Sequence, residues 1–255
     1  VGAAGGATTD VPVLLLGGVM MGELSDDLDT PVLKTTSGVV VLPRGHTLAI
    51  RKATSPASRT RIGRAACDQC RYCTEYCPRY LLGYAVEPHR VMRGLGFDLP
   101  GGEPGDPWAA LCCACGLCTS YACPEGLFPT EACIDAKRAS QKAGFRWKGP
   151  TPERPHPMRD GRRVPIGALM KRLGLSTFDH PAPWRDQAFD PARVLLRWKQ
   201  HAGVPARPVV RVGDRVEEGQ LVGDVAEGAL GAHVHASIAG VVEGIDERGL
   251  AIRKG

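Results

Sequence analysis

No run of 18 or more apolar residues occurs in these 255 residues, so the sequence holds no candidate membrane-spanning helix. The apolar stretch from Val11 to Met21 is short and is broken by Pro12, Gly17 and Gly18. No targeting signal is present. The chain opens VGAAGGATTD, on valine rather than methionine, and is expected to be a piece of a longer protein or an expressed segment of one. Without a secretory signal, and at this length, its ten cysteines argue against a disulfide framework. Aromatic residues make up only 5% and are not interleaved with the basic ones. With no DNA-binding motif either, that speaks against a nucleic-acid partner. Neither G-x-G-x-x-G nor a P-loop occurs. The glycines after VPVLLLGG therefore read as a turn packed by methionines, not as a phosphate cradle.

What is present is cysteine in two ordered runs. Cys67, Cys70, Cys73 and Cys77, followed by Pro78, are spaced C-x2-C-x2-C-x3-C-P. Cys112, Cys115, Cys118 and Cys123, followed by Pro124, are spaced C-x2-C-x2-C-x4-C-P. Two such runs are the signature of two [4Fe–4S] clusters, and one-electron transfer is the first functional expectation. Zinc is the alternative, but it usually takes two C-x2-C knuckles. Each run here has a third cysteine at the same interval and a distant fourth before proline. Three thiolates on a tight loop cover three iron corners, and the fourth lies too far along the chain to close that loop. In bacterial two-cluster ferredoxins the fourth ligates the other cluster. That pattern assigns Cys67, Cys70, Cys73 and Cys123 to one cluster, and Cys112, Cys115, Cys118 and Cys77 to the other. Pro78 and Pro124 are each expected to start a helix whose N-terminus faces the sulfurs. Cys113 reads as a neighbour of a cluster and Cys133 as a small core residue. No catalytic residue is assigned.

The net charge is +5, unevenly spread: ten Lys/Arg and three Asp/Glu lie between Arg44 and Arg93. Arg59, Arg61, Arg64, Arg71 and Arg79 are expected to offset cluster charge and to raise the potential of the first cluster above the second. A solvated basic face that docks an acidic partner is the other reading.

The pattern predicts an α+β chain in four parts: 1–50, a short α/β piece with strands at VPVLLL and SGVVVLP; 51–147, a helical two-cluster ferredoxin-like domain; 148–201, a stiff Pro-rich linker with a helix over 165–173; and 202–255, short β segments. Helices are expected over 87–92, 106–112 and 130–143, the last stopped by Gly144. PVVRVGDRVEEGQLVGDV resembles a biotinyl/lipoyl-type barrel-sandwich hybrid. The matching hairpin, from His233 to Ser237, lacks the carrier lysine, so swinging-arm chemistry is not expected. His233 and His235 share a strand face and could ligate metal, but with no carboxylate or cysteine expected nearby they read as structural.

The segments GGVMMG, DTPVLKTTSGVVVLP and GALGAHVHASIAGVV, with the two cysteine runs, together resemble the RnfC-type flavin/iron–sulfur family. Within it, the barrel following the clusters, the x4 spacing before Cys123, CPRYLLG and EPHRVMRGLG resemble the propanediol-utilisation cobalamin reductases. Val19 departs from the family's usual proline. The resemblance implies an end of an SLBB-type region over 1–50 and an all-β barrel-sandwich hybrid at the C-terminus. It further implies an FMN- and NADH-binding domain outside this chain, so the chain alone should bind no FMN tightly and oxidise no NADH. Implied partners are that flavin/NADH domain as donor, and cobalamin or a cobalamin adenosyltransferase as acceptor. A shell protein of a cytoplasmic bacterial microcompartment is a further implied partner. An Rnf-type electron-transport subunit, or a docking scaffold with structural clusters, is the alternative.

Overall fold

A computed structural model describes residues 6–96, 107–181, 184, 186 and 189–255. The chain divides into two compact units, one of residues 1–17, 25–41 and 182–255, the other of residues 18–24 and 42–181. Among the described residues no helix is long and apolar enough to cross a membrane.

The N-terminal strands form where the apolar runs predicted them. β1 (Pro12–Leu16) buries Val13, Leu14 and Leu15, and β3 (Val39–Pro43) buries Leu42. With β2 (Glu23–Ser25) they make a three-stranded sheet in the order β2-β1-β3.

The C-terminal strands are β4 (Arg193–Arg197), β5 (Arg207–Pro208), β6 (Arg215–Val216), β7 (Leu221–Asp224), β8 (Val234–His235), β9 (Gly240–Ile245) and β10 (Gly249–Lys254). They form two sheets, β4-β10-β9-β6 and β5-β7-β8. β4 lies in the stretch read as linker, yet all five of its residues pair antiparallel with β10. Alternation sends Val216, Val222, Val234, Val242, Leu250 and Ile252 into one core. Trp198 closes it, with its indole N–H donating to Asp246 O at 2.9 Å. Gly223 is small because a Cβ there would meet the Trp198 ring at 2.9 Å.

The second unit is helical. α1 (Thr47–Ala53) is followed by α2 (Pro56–Ala66), which Ser55 caps by accepting from Ser58 N–H. α2 ends on Cys67. α3 (Tyr72–Glu75) and α4 (Pro78–Leu81) are single turns inside and after the first cysteine run. α5 (Pro88–Gly96) extends beyond its predicted end, and α6 (Pro129–Lys142) matches its expected span and stops at Gly144, φ 81°. Of the helix expected over 106–112, residue 106 lies outside the described residues. The rest holds only a 3-10 turn, Pro107–Ala109, because prolyl and cysteinyl loop geometry takes over at once. α7 (Ile166–Arg172) falls inside its predicted range.

The Pro-rich stretch after α6 is not a free spacer. His156 N–H donates to Leu81 O at 3.0 Å, and its ring lies 4.7 Å from that of Tyr80. A Cβ on Gly83 would sit 2.6 Å from Arg154 O, so glycine lets the stretch lie directly on the chain after α4. Composition set its stiffness; packing, invisible to composition, set its place.

Replacing Trp198 with alanine opens a cavity in the barrel core and should cost about 3–5 kcal/mol of that unit's stability, read by urea unfolding. A loss below about 1 kcal/mol would remove Trp198 from its role as keystone of that core.

Candidate metal centres

The two cysteine runs fold into loops with the same backbone signature. The second residue after the first cysteine, and the first after the second cysteine, are left-handed in both: Gln69 (φ 61°) and Arg71 (φ 68°) in one, Ala114 (φ 54°) and Gly116 (φ 81°) in the other. This conformation costs a non-glycine residue about 1–2 kcal/mol, so three non-glycines holding it mark loops shaped around something. Alternating hand turns successive backbone N–H groups inward, as in the nests that hold anions and iron–sulfur groups.

The one-residue difference in spacing has a local solution. In the first run the third and fourth cysteines are joined through α3. In the second, Cys118–Ala122 is a π turn, and Cys123 N–H donates to Cys118 O five residues back at 3.1 Å. The wider turn absorbs the extra residue and leaves the third and fourth cysteines placed as in the first run.

The fourth cysteines change places. Cys67, Cys70 and Cys73 share a cavity with Cys123, walled by His89, Met92 and Leu127. Burial pushes the Cys73 thiol up to about 12, and of its cysteine neighbours Cys123 adds the most, ahead of Cys70 and Cys67. Cys77 rises to about 11, again through burial; the N–H groups of Tyr80 and Arg79 oppose it, and Cys115 and Cys112 add to it. Those two N–H groups belong to the first turn of α4, so the helix start after Pro78 does face its cysteine. Pro124 differs: a turn follows it, and the next helix waits until Pro129, because Gly126 adopts φ 63°. Cys118 is fully buried and raised, with Cys77, Cys73 and Cys115 as thiol neighbours.

A single zinc ion holds its sulfurs at about 2.3 Å. Among the described residues no three His, Cys, Asp or Glu side chains gather closely enough to hold one ion. Four cysteines line one cavity, a donor set that fits a polynuclear cluster in which every thiolate would take its own iron. Because most of these thiols are raised, loading must release protons.

The surroundings differ between the two loops. Leu127 N–H donates to Cys123 Sγ at 3.3 Å and Gln69 Nε2 to Cys67 Sγ at 3.3 Å. In the second loop Thr130 Oγ1 lies 3.0 Å from Cys118 Sγ, and Ala114 N–H donates to Cys112 Sγ at 3.4 Å. Cys112 is held down at about 6, chiefly by a hydrogen bond from the Cys133 thiol, with Lys137 and Arg79 assisting. Cys133 is thus a core residue, fully buried beside Val91 and Ala109, and also a donor to a cysteine of the run. Cys113 is exposed at the edge of that loop.

Three cations that proximity in sequence did not reveal brace the loops through backbone oxygens. Arg51 donates to Gly126 O (2.7 Å), Leu127 O (3.3 Å) and Thr119 O (3.4 Å). Lys137 donates to Cys112 O (2.6 Å) and Arg172 to Cys123 O (2.7 Å). Of the five predicted arginines, Arg71 lines the first cavity, Arg59 is turned to Lys52 O at 2.7 Å, Arg61 and Arg64 are exposed, and the charge of Arg79 is felt at Cys112. The GGVMMG turn is structural: Lys52 Nζ donates to Gly22 O (2.6 Å) and Met20 O (3.0 Å), and Met20 lies against Gly116. Met21, in contrast, is exposed.

At the C-terminal hairpin the expectation of no nearby carboxylate is corrected. His233 Nδ1 stands 2.9 Å from Asp224 Oδ1, since pairing of β7 with β8 brings them together. The His233 and His235 rings are 6.4 Å apart, and no three-ligand group forms there among the described residues.

Comparison with known proteins gives two domain matches. Residues 66–128 match the 4Fe-4S dicluster domain, and residues 185–255 match the RnfC barrel sandwich hybrid domain. The chain is 39% identical over 253 residues to cobalamin reductase PduS of Citrobacter freundii, and 40% identical over 253 residues to that of Salmonella typhimurium. Across nearly its whole length this chain is PduS-like. The matches cover 99% of this chain and 56% of each relative, so it spans about half the length of the curated PduS proteins. A component of the Na(+)-translocating ferredoxin:NAD(+) oxidoreductase complex of Acetobacterium woodii matches at 40% over 58 residues, 23% of this chain and 13% of that component. The β4 strand, read as linker from the sequence, lies within the matched barrel region.

Gly116→Ala should strain the second loop twice, through its φ of 81° and a Cβ brought to 3.0 Å from Met20 Cβ. The expected cost is about 1–2 kcal/mol in thermal unfolding, with lower retention of iron. Gly94→Ala in α5, where nothing lies within 4 Å, should be neutral or slightly stabilising. Equal stability of the two variants would mean the left-handed turn is not required.

Proposed function

We propose that this chain is the iron–sulfur electron-transfer segment of a cobalamin reductase. The observation that carries the reading is the crossed cysteine arrangement inside a sequence PduS-like from end to end. Cys67, Cys70, Cys73 and Cys123 would hold one [4Fe–4S] cluster, and Cys112, Cys115, Cys118 and Cys77 the other. Bound there, the clusters supply one-electron storage and transfer. The residues of this chain do the rest. Arg51, Lys137 and Arg172 fix the carbonyls behind the ligands. Leu127 N–H, Ala114 N–H and the Thr130 hydroxyl supply hydrogen bonds to sulfur, which are among the levers on potential. Met92 and Leu127 keep water from the first site.

In this reading FMN and NADH act on a flavin domain elsewhere in the protein, and cobalamin is the acceptor. Assignment of 1–50 to the end of an SLBB-type region, of 51–147 to a ferredoxin-like domain, and of the protein to a microcompartment rests on the resemblance. An Rnf-type electron-transport role is the second reading, supported by the match to the Acetobacterium woodii protein, but that match reaches far less of the chain.

The chain purified without oxygen should carry about eight iron and eight sulfide and show a reducible cluster signal in EPR. Zinc alone in the metal analysis would sink the assignment. Cys77→Ser should damage the cluster held by the second loop and spare the one beside Cys70; damage confined to the first loop would show that each run is self-contained. In the full-length protein, Cys115→Ser should abolish cobalamin reduction while NADH oxidation with an artificial acceptor survives. Cobalamin reduction at the normal rate in that variant would take the clusters off the path.

A further inference from the structure

Three of the chain's five tyrosines, Tyr72, Tyr76 and Tyr121, line one open groove in the helical unit. Its walls also carry Arg162, Lys171 and Arg172. In a chain with so few aromatics this concentration needs a reason. Tyr72 immediately precedes Cys73, Tyr76 immediately precedes Cys77, and Tyr121 sits just before Ala122 and Cys123. The groove therefore lies where both cysteine loops come to the surface.

Its side chains are held in place. Tyr76 and Tyr121 meet edge to face, with centroids 5.5 Å apart at 76°. Arg162 lies over Tyr76 at 5.3 Å and donates to Glu75 Oε2 at 2.6 Å. Arg172 is anchored on Cys123 O. Tyr72 keeps 43% of its surface exposed, and Lys171 is exposed. Glu75 offsets Arg162, which leaves Lys171 and Arg172 to face an anion. Aromatic faces take a flat conjugated ring, hydroxyls take amides, and the cation pair takes a phosphate. A broad, shallow hollow admits a large disc better than a narrow nucleotide.

We propose that this groove binds the corrinoid, with the macrocycle against Tyr72 and Tyr76 and the phosphate of the nucleotide tail towards Lys171 and Arg172. The proposal rests on the reading of the chain as part of a cobalamin reductase. Each electron delivered there would lower cobalt by one oxidation state and come from one reduced cluster. With the first, the water on cobalt(III) leaves, or hydroxide leaves as water with a proton from solvent; a second, to cobalt(I), would also break the bond to the lower axial base.

The test is a calorimetric titration of the iron-loaded chain with hydroxocobalamin. Lys171→Glu and Tyr72→Ala should each weaken binding about tenfold or more, and Lys171→Arg should stay within about threefold of the parent. Cobinamide, which lacks the tail phosphate, should bind the parent about tenfold more weakly and ignore Lys171→Glu. Iron content and the EPR signal of each variant report whether the loops are intact. Unchanged affinity in both weakening variants would overturn the proposal. So would saturable FMN binding that the same variants abolish, which would make the groove a seat for the donor. If protein pre-reduced and freed of dithionite reduces cobalamin equally in parent and variants, the groove fails while the reductase reading stands. If the parent with both clusters loaded cannot reduce cobalamin, the reductase reading fails, and the titration still decides the groove.

Discussion

The placing of Cys123 with the first three cysteines, and of Cys77 beside Cys112 and Cys115, is the constraint on which the helical unit depends. It holds the two loops side by side. α5 supplies the wall between them. Met92 packs with Cys123 and Leu127, with Cys67 at the edge of that cluster. Its neighbour Val91 packs with Cys133 and Ala109, with Cys112 at the edge of the other. Adjacent residues of one helix thus serve the two sites. α6 meets both, since Ala132 borders each cluster and Thr130 reaches Cys118. Losing either exchanged cysteine would leave the helices between the loops with no common purpose.

The two sites share a backbone plan but not an environment. Both loops use left-handed residues at matching places, and the π turn cancels the spacing difference. Beyond the backbone they diverge. Cys73 is pushed up to about 12 by burial among thiols, whereas Cys112 is held down at about 6 by the Cys133 thiol. Cys112 is thus the exception within its own site, since Cys77 and Cys118 are pushed up by burial as Cys73 is.

Ligand chemistry was legible in the sequence because it is local. Cysteines two residues apart must share a loop, and the repeat of that spacing names the group they hold. The helix from Pro129 and the strand at Val13–Leu15 were legible for a similar reason, since each carries its periodicity within itself. What failed was non-local. β4 is a short apolar run flanked by arginines, and only β10 makes it a strand. Asp224 meets His233 only through strand pairing. Arg51, Lys137 and Arg172 reach the loops from elements remote in sequence, and nothing in their own segments announces it. Pro124 misled because proline permits a helix start without compelling one, and Gly126 decided otherwise.

The order of the two potentials shows why that non-local part matters. Counting arginines along the chain favoured a higher potential at the first loop. In space, Arg59 is committed to a backbone oxygen and Arg79 acts on Cys112. The second loop also gains Lys137, the Cys133 thiol and Ala114 N–H at one cysteine, and the Thr130 hydroxyl at another. The first site has Leu127 and Glu125 N–H at Cys123, Tyr72 N–H at Cys70, Thr74 N–H at Cys73 and Gln69 Nε2 at Cys67. Each donor to sulfur stabilises the more negative, reduced state and so raises potential. Donors to sulfur are therefore spread over both sites, and Arg71 lines the first cavity. A surface arginine acts through screened solvent, whereas a buried hydrogen bond acts in a medium of lower dielectric and is worth more. Which site lies higher is therefore set by the balance of surface arginines against buried donors at both sites, and a redox titration reads it.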